Sequence, residues 1–505
     1  MHPINHIFKW YFSSRNKEID KKFNSPVATQ EKMLMQLLSK AKDTEWGKQY
    51  GFASIKDYED FRKKLPVSDY EAIKPSINRM MQGEQNILWP TTINWFAKSS
   101  GTTHDKSKFI PVSPEALNDC HYQGGKDLYA KYLENFNSKN LFKGKGLVMG
   151  GSHDVHKYNN NASYGDLSAV LLENMPKWAS LKRVPKYSTA LMDDWEKKID
   201  QIAHETLNQN ITHILGVPTW TVVLVQRLFE ITGKDNLADI WPDMELYIHG
   251  GVSFTPYRDL FKDLIRKDNM NYLETFNASE GFFAIQDQPG STELLLMLDY
   301  GIFYEFMPLE ELDKSEPELL PLSEVETEKN YALVISSNAG LWRYIIGDTI
   351  KFTSTNPYRI QVTGRTRFFI NAFGEELIVE NVENALAEAC RKTSARVSDY
   401  TGAPVYLEGN SKGGHEYLIE FEYQPNCIET FTNTFDEALK NENSDYEAKR
   451  YKDLALIKPD IKIMKEGTFY QWMKKRGKLG GQNKVPRLAN HRDYLEDLLS
   501  FSKNY

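Results

Sequence analysis

The residues whose types could do chemistry begin with the run Ser99-Ser100-Gly101-Thr102-Thr103, which is followed by Lys106 and Lys108. Small hydroxylated residues and a glycine allow backbone N–H groups and hydroxyls to surround an oxyanion, because nothing bulky blocks its approach. The alternative is an exposed loop that binds nothing, since serine, threonine and glycine are ordinary loop residues. Composition alone leaves both interpretations open.

Two carboxylates follow predicted strands farther along the chain. In Tyr272–Gly281, a strand is expected to end in a turn over Ala278–Gly281, and the Glu280 carboxylate in that turn could hold Mg²⁺ if phosphates supply the other oxygens. Asp348 follows Gly347 and is suited to accept both hydroxyls of a ribose. The alternatives are a solvated glutamate at a strand end and an ordinary Gly-Asp turn.

The tripeptide Ser152-His153-Asp154 has the residue types of a hydrolase, but the pattern G-x-S-x-G is absent. A catalytic triad is also assembled in space and seldom from adjacent residues. His153 and His156 have a spacing that metal ligands use on a helix, yet no cluster of further ligands follows them. Neither hydrolysis nor a metal centre is favoured here.

The elements that must position these residues alternate between strand and helix. An apolar–polar alternation on both sides of Ser99–Thr103 predicts a hairpin with these residues in its loop. A helix over Pro114–Asn135 should follow, with Ser113 as its N-cap. The middle of the chain is expected to hold the following strands and helices: Ile211–Val217, Thr219–Ile231, Glu245–Gly251 and Pro256–Lys267. This order predicts an α/β sheet, whose ligands gather at the carboxyl ends of its strands.

Later segments extend the sheet and then change character. Leu294–Leu298 and Phe303–Phe306 are expected to form a hairpin, and the acidic stretch Leu309–Lys329 an exposed excursion. Strands are expected at Tyr331–Ser336 and Tyr358–Val362. Beyond them a helix face is formed by Val379, Val382, Leu386 and Ala389. We predict a domain boundary at about Arg367, which gives an N-terminal domain of residues 1–366 and a C-terminal domain of residues 367–505.

Composition narrows the function classes. The 505 residues carry a net charge of −7, with a pI of about 6.0, so no global charge favours nucleic acid or an anionic membrane. The basic stretch Lys474–Arg487 is expected to be a flexible loop; such loops bind nucleic acid in some proteins and are simply solvated in most. Three dispersed cysteines fit a reducing compartment. Because no apolar run reaches signal-peptide or membrane-span length, a cytoplasmic protein is expected.

Three motifs in this order resemble those of a known family. Ser99–Thr103, Phe276–Glu280 and Tyr344–Asp348 are similar to the nucleotide-binding motifs of the auxin-responsive acyl-acid amido synthetases. That family belongs to the adenylate-forming superfamily, and the resemblance extends from about Val67 to Arg487. It implies an α/β fold with a large N-terminal adenylate-forming domain of packed α/β subdomains and a smaller mobile C-terminal α/β domain.

The resemblance also implies a ligase reaction and a set of residue roles. A small carboxylic acid would react with ATP and Mg²⁺ to give acyl-AMP and pyrophosphate, and an amino-acid amine would then displace AMP. By this resemblance, Ser99, Ser100, Gly101, Thr102 and Thr103 would bind the phosphates, and Ser279 of the second motif would belong to the cofactor-binding residues. Glu280 would bind Mg²⁺ and take part in catalysis, and Asp348 and Arg365 would bind the ribose. The adenine and acyl pocket would be lined by Gly250, Gly251 and Phe276, and Lys484 would contact the reacting phosphate.

The chain departs from the family pattern at three positions. Phe276 stands in place of the usual tyrosine, Ile345 replaces a frequent arginine, and Arg367 lies near the hinge position where Asp or Lys is common. Three alternative functions stay open. They are an acyl-CoA synthetase with the same acyl-AMP intermediate, a nucleotide-binding regulatory protein without turnover, and nucleic-acid binding through the basic stretch.

Overall fold

The helices and strands are those of the computed structural model, which describes residues 3–102, 105–136, 138, 140–149, 155–175, 182–190, 192, 194–252, 254, 257–312, 314–366, 369–407, 412–476 and 485–503. The α-helices are α1 (Pro3–Phe23), α2 (Pro26–Ala41), α3 (Glu45–Gln49), α4 (Tyr58–Lys64), α5 (Tyr70–Met81), α6 (Tyr122–Asn135), α7 (Leu167–Glu173), α8 (Tyr187–Ala190), α9 (Trp195–Leu207), α10 (Pro218–Thr232), α11 (Leu237–Ile240), α12 (Arg258–Ile265), α13 (Val379–Thr393), α14 (Ile428–Glu442), α15 (Ser444–Arg450), α16 (Thr468–Lys475) and α17 (Asp493–Ser502).

The strands are β1 (Trp95–Thr102), β2 (Asp105–Val112), β3 (Lys145–Val148), β4 (His156–Lys157), β5 (Ser163–Asp166), β6 (Arg183–Val184), β7 (Ile211–Leu215), β8 (Leu246–Gly250), β9 (Asn271–Ala278), β10 (Gly281–Ile285), β11 (Leu294–Leu296), β12 (Ile302–Pro308), β13 (Leu320–Pro321), β14 (Asn330–Ser337), β15 (Tyr344–Thr355), β16 (Tyr358–Arg365), β17 (Phe369–Ile370), β18 (Leu377–Ile378), β19 (Arg396–Val405), β20 (Gly414–Tyr423) and β21 (Asp460–Met464). The strands and helices predicted between residues 211 and 265 are confirmed, with ends shifted by a few residues.

Twelve of the strands form one large sheet in the order β13-β12-β14-β15-β16-β11-β10-β9-β8-β7-β3-β6. From β9 to β6 all neighbours are parallel, whereas from β9 to β13 all neighbours are antiparallel. The pairing therefore changes at β9. In α/β sheets ligands bind where the topology changes, beyond the carboxyl ends of the strands.

A smaller four-stranded sheet has the order β2-β1-β5-β4. The predicted hairpin is confirmed, because β1 and β2 pair in antiparallel register from Trp95 with Val112 to Thr102 with Asp105. The loop assignment is wrong for most of its residues. Ser99 to Thr102 continue β1, since small side chains do not interrupt the ladder of backbone hydrogen bonds, and Thr103 lies outside the described residues.

Three further expectations are corrected. β11 and β12 form no hairpin, because β11 pairs with β10 and β16 while β12 pairs with β13 and β14. The stretch Leu309–Lys329 is only partly an exposed excursion, since it contains β13 and buries Leu319 and Leu322. Gly347 and Asp348 lie inside β15 and not in a turn; glycine at 347 permits the φ of +95° that the strand has there.

The helix predicted over Pro114–Asn135 is present, and the Ser113 hydroxyl accepts a hydrogen bond from the Ala116 N–H at 2.9 Å, which confirms the cap. One part was not foreseen: Ala116–His121 forms a π-helix before α6 begins. All three cysteines are free. No helix within the described ranges is long and apolar enough to cross a membrane.

One apolar core joins the parallel half of the large sheet to the C-terminal part of the chain. It contains Trp220 and Tyr257 from the first part and Ala372 and Phe373 from the second. The Thr219 hydroxyl donates to the Phe373 carbonyl at 3.2 Å, and the Tyr257 hydroxyl donates to the Ala372 carbonyl at 2.7 Å. The segment that follows the predicted boundary is therefore packed on helix α10 and its surroundings. The boundary near Arg367, itself outside the described residues, stays a prediction.

Candidate functional site

The hairpin of β9 and β10 carries the first group of cleft residues. Gly281 pairs with Ala278, so Ser279 and Glu280 form a two-residue turn at the carboxyl end of β9. Phe276 is buried, and its ring lies 4.9 Å from that of Phe283. The hairpin thus holds the Glu280 carboxylate at the point where the large sheet changes from parallel to antiparallel pairing.

Strands β15 and β16 carry the second group. Asp348 and Arg365 are cross-strand partners, and Arg365 Nε donates to Asp348 Oδ1 at 2.9 Å. A second nitrogen of the same guanidinium, Nη1, donates to Glu376 Oε2 at 3.2 Å. The guanidinium carbon also lies 5.5 Å from the ring centroid of Phe369. Two carboxylates and an aromatic ring therefore hold Arg365 in one orientation.

The third group comes from β1, β2 and the end of β8. Ser99 pairs with Lys108 across the hairpin, and Lys108 Nζ lies 5.8 Å from the ring centroid of Tyr70. At the end of β8, a Cβ on Gly250 would lie 2.6 Å from the carbonyl oxygen of Thr275, so only glycine fits there. The Gly251 carbonyl accepts a hydrogen bond from Asn371 Nδ2 at 2.9 Å.

These groups surround a cleft of about 1080 Å³. The predicted site residues that line it are Ser99, Gly251, Phe276, Ser279, Glu280, Asp348 and Arg365. Gly250 precedes Gly251 in the chain but does not itself line the cleft. Beyond Ser99, strand β1 continues through Ser100, Gly101 and Thr102. Thr103 and Lys484 lie outside the described residues. Segments more than 250 residues apart in sequence are thus brought to one cleft.

Burial and neighbouring charges shift the acidity of these groups. Burial raises the pKa of Glu280 to about 7; the positive charge of Lys108 opposes this shift and the negative charge of Asp348 adds to it. Burial likewise raises the pKa of Asp348 above its usual range, although Arg365 opposes the shift. Burial would lower the pKa of Arg365, but Glu376 and Asp348 raise it, so its charge is permanent.

The polar residues of the cleft wall that were not predicted as site residues include Lys108, Glu274, Asn277 and Glu376. Glu274 is half-buried on β9, and burial raises its pKa to about 7 while Arg258 opposes the shift. Only position gave a signal for Lys108 and Asn277, since one closely follows the Ser99–Thr103 run and the other lies inside Phe276–Glu280. Nothing in the sequence distinguishes Glu274 or Glu376 from other acidic residues.

The described residues contain no group of three or more His, Cys, Asp or Glu side chains able to hold a metal ion. Glu280 therefore stands as a single carboxylate at the turn. Mg²⁺ is commonly held by one or two protein carboxylates while a bound phosphate and water supply its other oxygens. Glu280 is thus a residue that could hold Mg²⁺ beside a bound nucleotide.

Three domain models of one protein family match most of the chain. Residues 15–270 match the GH3 family N-terminal domain, residues 295–365 its central domain and residues 380–493 its C-terminal domain. The chain belongs to the GH3 family. The resemblance of the three motifs to the acyl-acid amido synthetases is thereby confirmed.

Relatives of this GH3 chain carry the names of amido synthetases and ligases. It is 23% identical to the indole-3-acetic acid-amido synthetase GH3.3 of Arabidopsis thaliana, over 92% of this chain and 90% of that protein. It is 22% identical to the 4-substituted benzoates-glutamate ligase GH3.12 of the same plant, over 85% and 87%.

Two solved structures share the fold. GH3.15 acyl acid amido synthetase in complex with 2,4-DB aligns with a TM-score of 0.64 at 17% identity, covering 97% of this chain and 96% of that one. A 2-hydroxyisobutyryl-CoA ligase aligns with a TM-score of 0.58 at 11% identity, over 95% and 92%. The α/β fold with a large N-terminal and a smaller C-terminal part is shared with these two enzymes.

Proposed function

We propose that this chain is an ATP-dependent acyl-acid amido synthetase. In the first step a carboxylate oxygen of the acid attacks the α-phosphorus of ATP, and the bond from that phosphorus to pyrophosphate breaks. In the second step an amino-acid amine attacks the acyl carbonyl carbon, AMP leaves, and the nitrogen loses a proton as the amide forms. GH3 membership and the names of the relatives support an amide-forming ligase of this kind.

The observation that carries the proposal is the meeting of three distant motifs around one cleft of about 1080 Å³. A hydroxyl-bearing strand, a carboxylate at a hairpin turn and a fixed Asp–Arg pair are the groups that a magnesium–nucleotide complex needs. Adenylation spreads negative charge over phosphate oxygens, so fixed donors and a cation stabilise the transition state more than the ground state.

The roles we propose follow the placement of each group. Asp348 accepts hydrogen bonds from the ribose hydroxyls, and Arg365 keeps its carboxylate in place. Phe276 and the Gly250–Gly251 segment lie against the adenine and the acyl group. Ser99 and the residues of β1 beyond it, Ser100 to Thr102, bind the phosphates together with Thr103 and Ser279.

Glu280 is the residue that we propose to hold Mg²⁺. Its carboxylate has no ion pair within 4.0 Å in the part of the chain that the structure describes, and burial makes its charge costly. A divalent cation would offset that cost, because metal binding favours the deprotonated carboxylate. When bound, Mg²⁺ would neutralise charge on the phosphates of ATP.

Lys484 and the domain boundary complete the proposal. We propose that residues 367–505 form a C-terminal domain that moves between the two steps, and that Lys484 reaches the reacting phosphate only in the first. A lysine suits this role because it is a compact charge on a flexible stem. The change of domain position would remove it from the cleft when the amine arrives.

The deciding experiment is a screen for pyrophosphate release over a panel of carboxylic acids, with ATP and Mg²⁺, repeated with amino acids and with coenzyme A. An acid that releases pyrophosphate and yields an amide when amino acids are added supports the proposal. A thioester formed in preference to an amide would instead make the chain an acyl-CoA synthetase. Nucleotide binding without pyrophosphate release from any acid would contradict both.

A further inference from the structure

A π-helical turn presses two residues against the hairpin that lines the cleft. Ala116–His121 is the π-helix, and Cys120 and His121 stand at its end. The Phe282 N–H donates to Cys120 Sγ at 3.2 Å, which ties the π-helix to β10. On the neighbouring strand, His121 Nδ1 lies 3.1 Å from Asn277 Oδ1. Single π turns inside α-helices are frequent at functional sites, because they shift side chains out of regular helical spacing.

The hydrogen bond between His121 and Asn277 has a fixed direction. An amide oxygen can only accept, so the Nδ1 of His121 carries the hydrogen. The imidazole is only 5% exposed, and burial lowers its pKa to about 4, which keeps the ring neutral near pH 7. His121 is therefore a permanent neutral donor to the Asn277 oxygen.

This bond determines what Asn277 offers to a ligand. Asn277 lines the cleft, and its Oδ1 is occupied by His121. Its amide nitrogen, which carries two hydrogens, has no hydrogen-bond partner among the residues that the structure describes. Because the amide group is planar, fixing the oxygen also fixes the direction of these hydrogens. The cleft thus contains an oriented neutral donor that is free to bind an oxygen.

The position of Asn277 on β9 indicates which part of the ligand it meets. Adjacent residues of a strand point to opposite faces, so Asn277 faces away from Phe276 and toward the π-helix. In the proposed arrangement Asp348 holds the ribose, Glu280 serves the phosphates, and Phe276 lies against the adenine and the acyl group. Of the two groups beside Phe276, only the acyl group carries an oxygen that an N–H donor can bind.

We infer that Asn277, positioned by His121, donates a hydrogen bond to an oxygen of the acyl group and so determines which acids are accepted. This inference rests on the proposed function. The oxygen is either the carboxyl oxygen that becomes the acyl carbonyl or an oxygen substituent close to it, such as a 2-hydroxyl. In both cases the substrate is an acid that presents a hydrogen-bond acceptor to Asn277, and His121 is a positioning residue.

The test compares four variants of the full chain: Asn277→Ala, Asn277→Asp, His121→Leu and the Asn277→Ala/His121→Leu double variant. Acyl-AMP formation is measured for two acids of matched shape, one with a 2-hydroxyl group and one with a methyl group in its place. ATP affinity is measured separately by titration calorimetry. His213→Leu is the matched control, because His213 is also buried with a pKa lowered to about 4 but does not line the cleft.

For Asn277→Ala we expect KM for the acid to rise about 10-fold, the effect of losing one hydrogen bond to a charged or polarised oxygen. ATP affinity should stay within about twofold of wild type, since no nucleotide contact changes. Asn277→Asp should raise KM for the acid further than Asn277→Ala does, because the new carboxylate repels the carboxylate of the acid. His121→Leu should raise KM about threefold alone and add nothing in the double variant, as expected of residues that act as one unit.

The two sources of the oxygen give different patterns. An equal rise in KM for both acids in Asn277→Ala assigns the contact to the carboxyl oxygen. A rise in KM confined to the 2-hydroxy acid assigns it to the substituent. An unchanged KM in Asn277→Ala, or an additive effect of His121→Leu, would overturn the inference. So would an equal rise in KM caused by His213→Leu. Failure of the wild-type chain to form acyl-AMP from any acid would instead overturn the proposed function.

Discussion

The two charged walls of the cleft differ in how their charges are balanced. On the β15–β16 wall, Arg365 is bonded to both Asp348 and Glu376, at 2.9 Å and 3.2 Å. On the β9–β10 wall, the carboxylates of Glu274 and Glu280 have no ion pair within 4.0 Å among the described residues, and burial raises the pKa of each to about 7.

This difference separates two ways of building a site. The β15–β16 wall, called the paired wall below, keeps its geometry without a ligand, because each charge already has a partner. The β9–β10 wall, called the unpaired wall below, carries a desolvation cost that a bound cation or hydrogen-bond donor can relieve. Under the proposed function, the first wall is a preformed ribose-binding wall, and the second becomes favourable when a magnesium–nucleotide complex binds.

The largest expected effect comes from a charge that belongs to neither wall. Lys484→Ala should slow acyl-AMP formation about 10²-fold, by analogy with the loss of one preorganised contact to a developing oxyanion. Aminolysis of acyl-AMP supplied from outside should keep its wild-type rate. Single-turnover assays of each half-reaction measure both, and Lys478→Ala, on the same basic stretch, is the control. Equal loss of the two half-reactions would contradict the two-position mechanism.

On the paired wall, Asp348→Ala should weaken ATP binding about 10- to 100-fold, because hydrogen bonds to a charged group contribute about 1.5–3 kcal/mol. Glu376→Gln should weaken ATP binding much less, since Asp348 and its hydrogen bond from Arg365 are retained. Titration calorimetry measures both variants. Wild-type ATP affinity in Asp348→Ala would show that the ribose is held elsewhere.

On the unpaired wall, Glu280→Gln should raise the Mg²⁺ concentration required for half-maximal activity about 10-fold, through loss of a charged ligand. Glu274→Gln is the matched control, because it removes a carboxylate with a similarly raised pKa from the same wall. Its Mg²⁺ requirement should match that of wild type. An identical Mg²⁺ requirement in Glu280→Gln would remove Glu280 from the metal site.

The smallest effect is a pH dependence of stability without ligands. The pKa of Glu280 rises from 4.5 to about 7 on folding, so between these values the folded state binds more protons than the unfolded state. Stability contributed by this group is therefore complete below pH 4.5 and falls as the pH rises toward 7. Glu280→Gln avoids the cost and should melt about 2 °C higher than wild type at pH 8. At pH 5 the two melting temperatures should agree; a constant difference between the two pH values would contradict the raised pKa.

Local patterns in the sequence predicted much of this architecture. The alternation around Ser99 predicted the β1–β2 hairpin, and Ser113 followed by Pro114 predicted the start of a helix. The turn predicted over Ala278–Gly281 contains the turn that carries Glu280. These features depend on neighbours within a few residues, which is why one sequence is enough to find them.

Features that depend on distant partners were not predictable. β11 and β12 are close in sequence, yet each pairs with strands that no local pattern identifies. The π-helix depends on contacts such as that between Cys120 and Phe282, which lie far apart in the chain. The same is true of Glu376, whose relation to Arg365 follows from the fold of the C-terminal part and not from its neighbours in sequence.

The apolar core that crosses the predicted boundary has a thermal consequence. If the C-terminal part moves between the two half-reactions, apolar side chains of the core that it shares with Trp220 and Tyr257 become exposed to water. Exposure of apolar surface carries a positive heat-capacity change, so the balance between the two domain positions must vary with temperature. The hydrophobic contribution to the packed position weakens on cooling. We expect this heat-capacity change to appear as a curved Eyring plot for one half-reaction and a straight plot for the other.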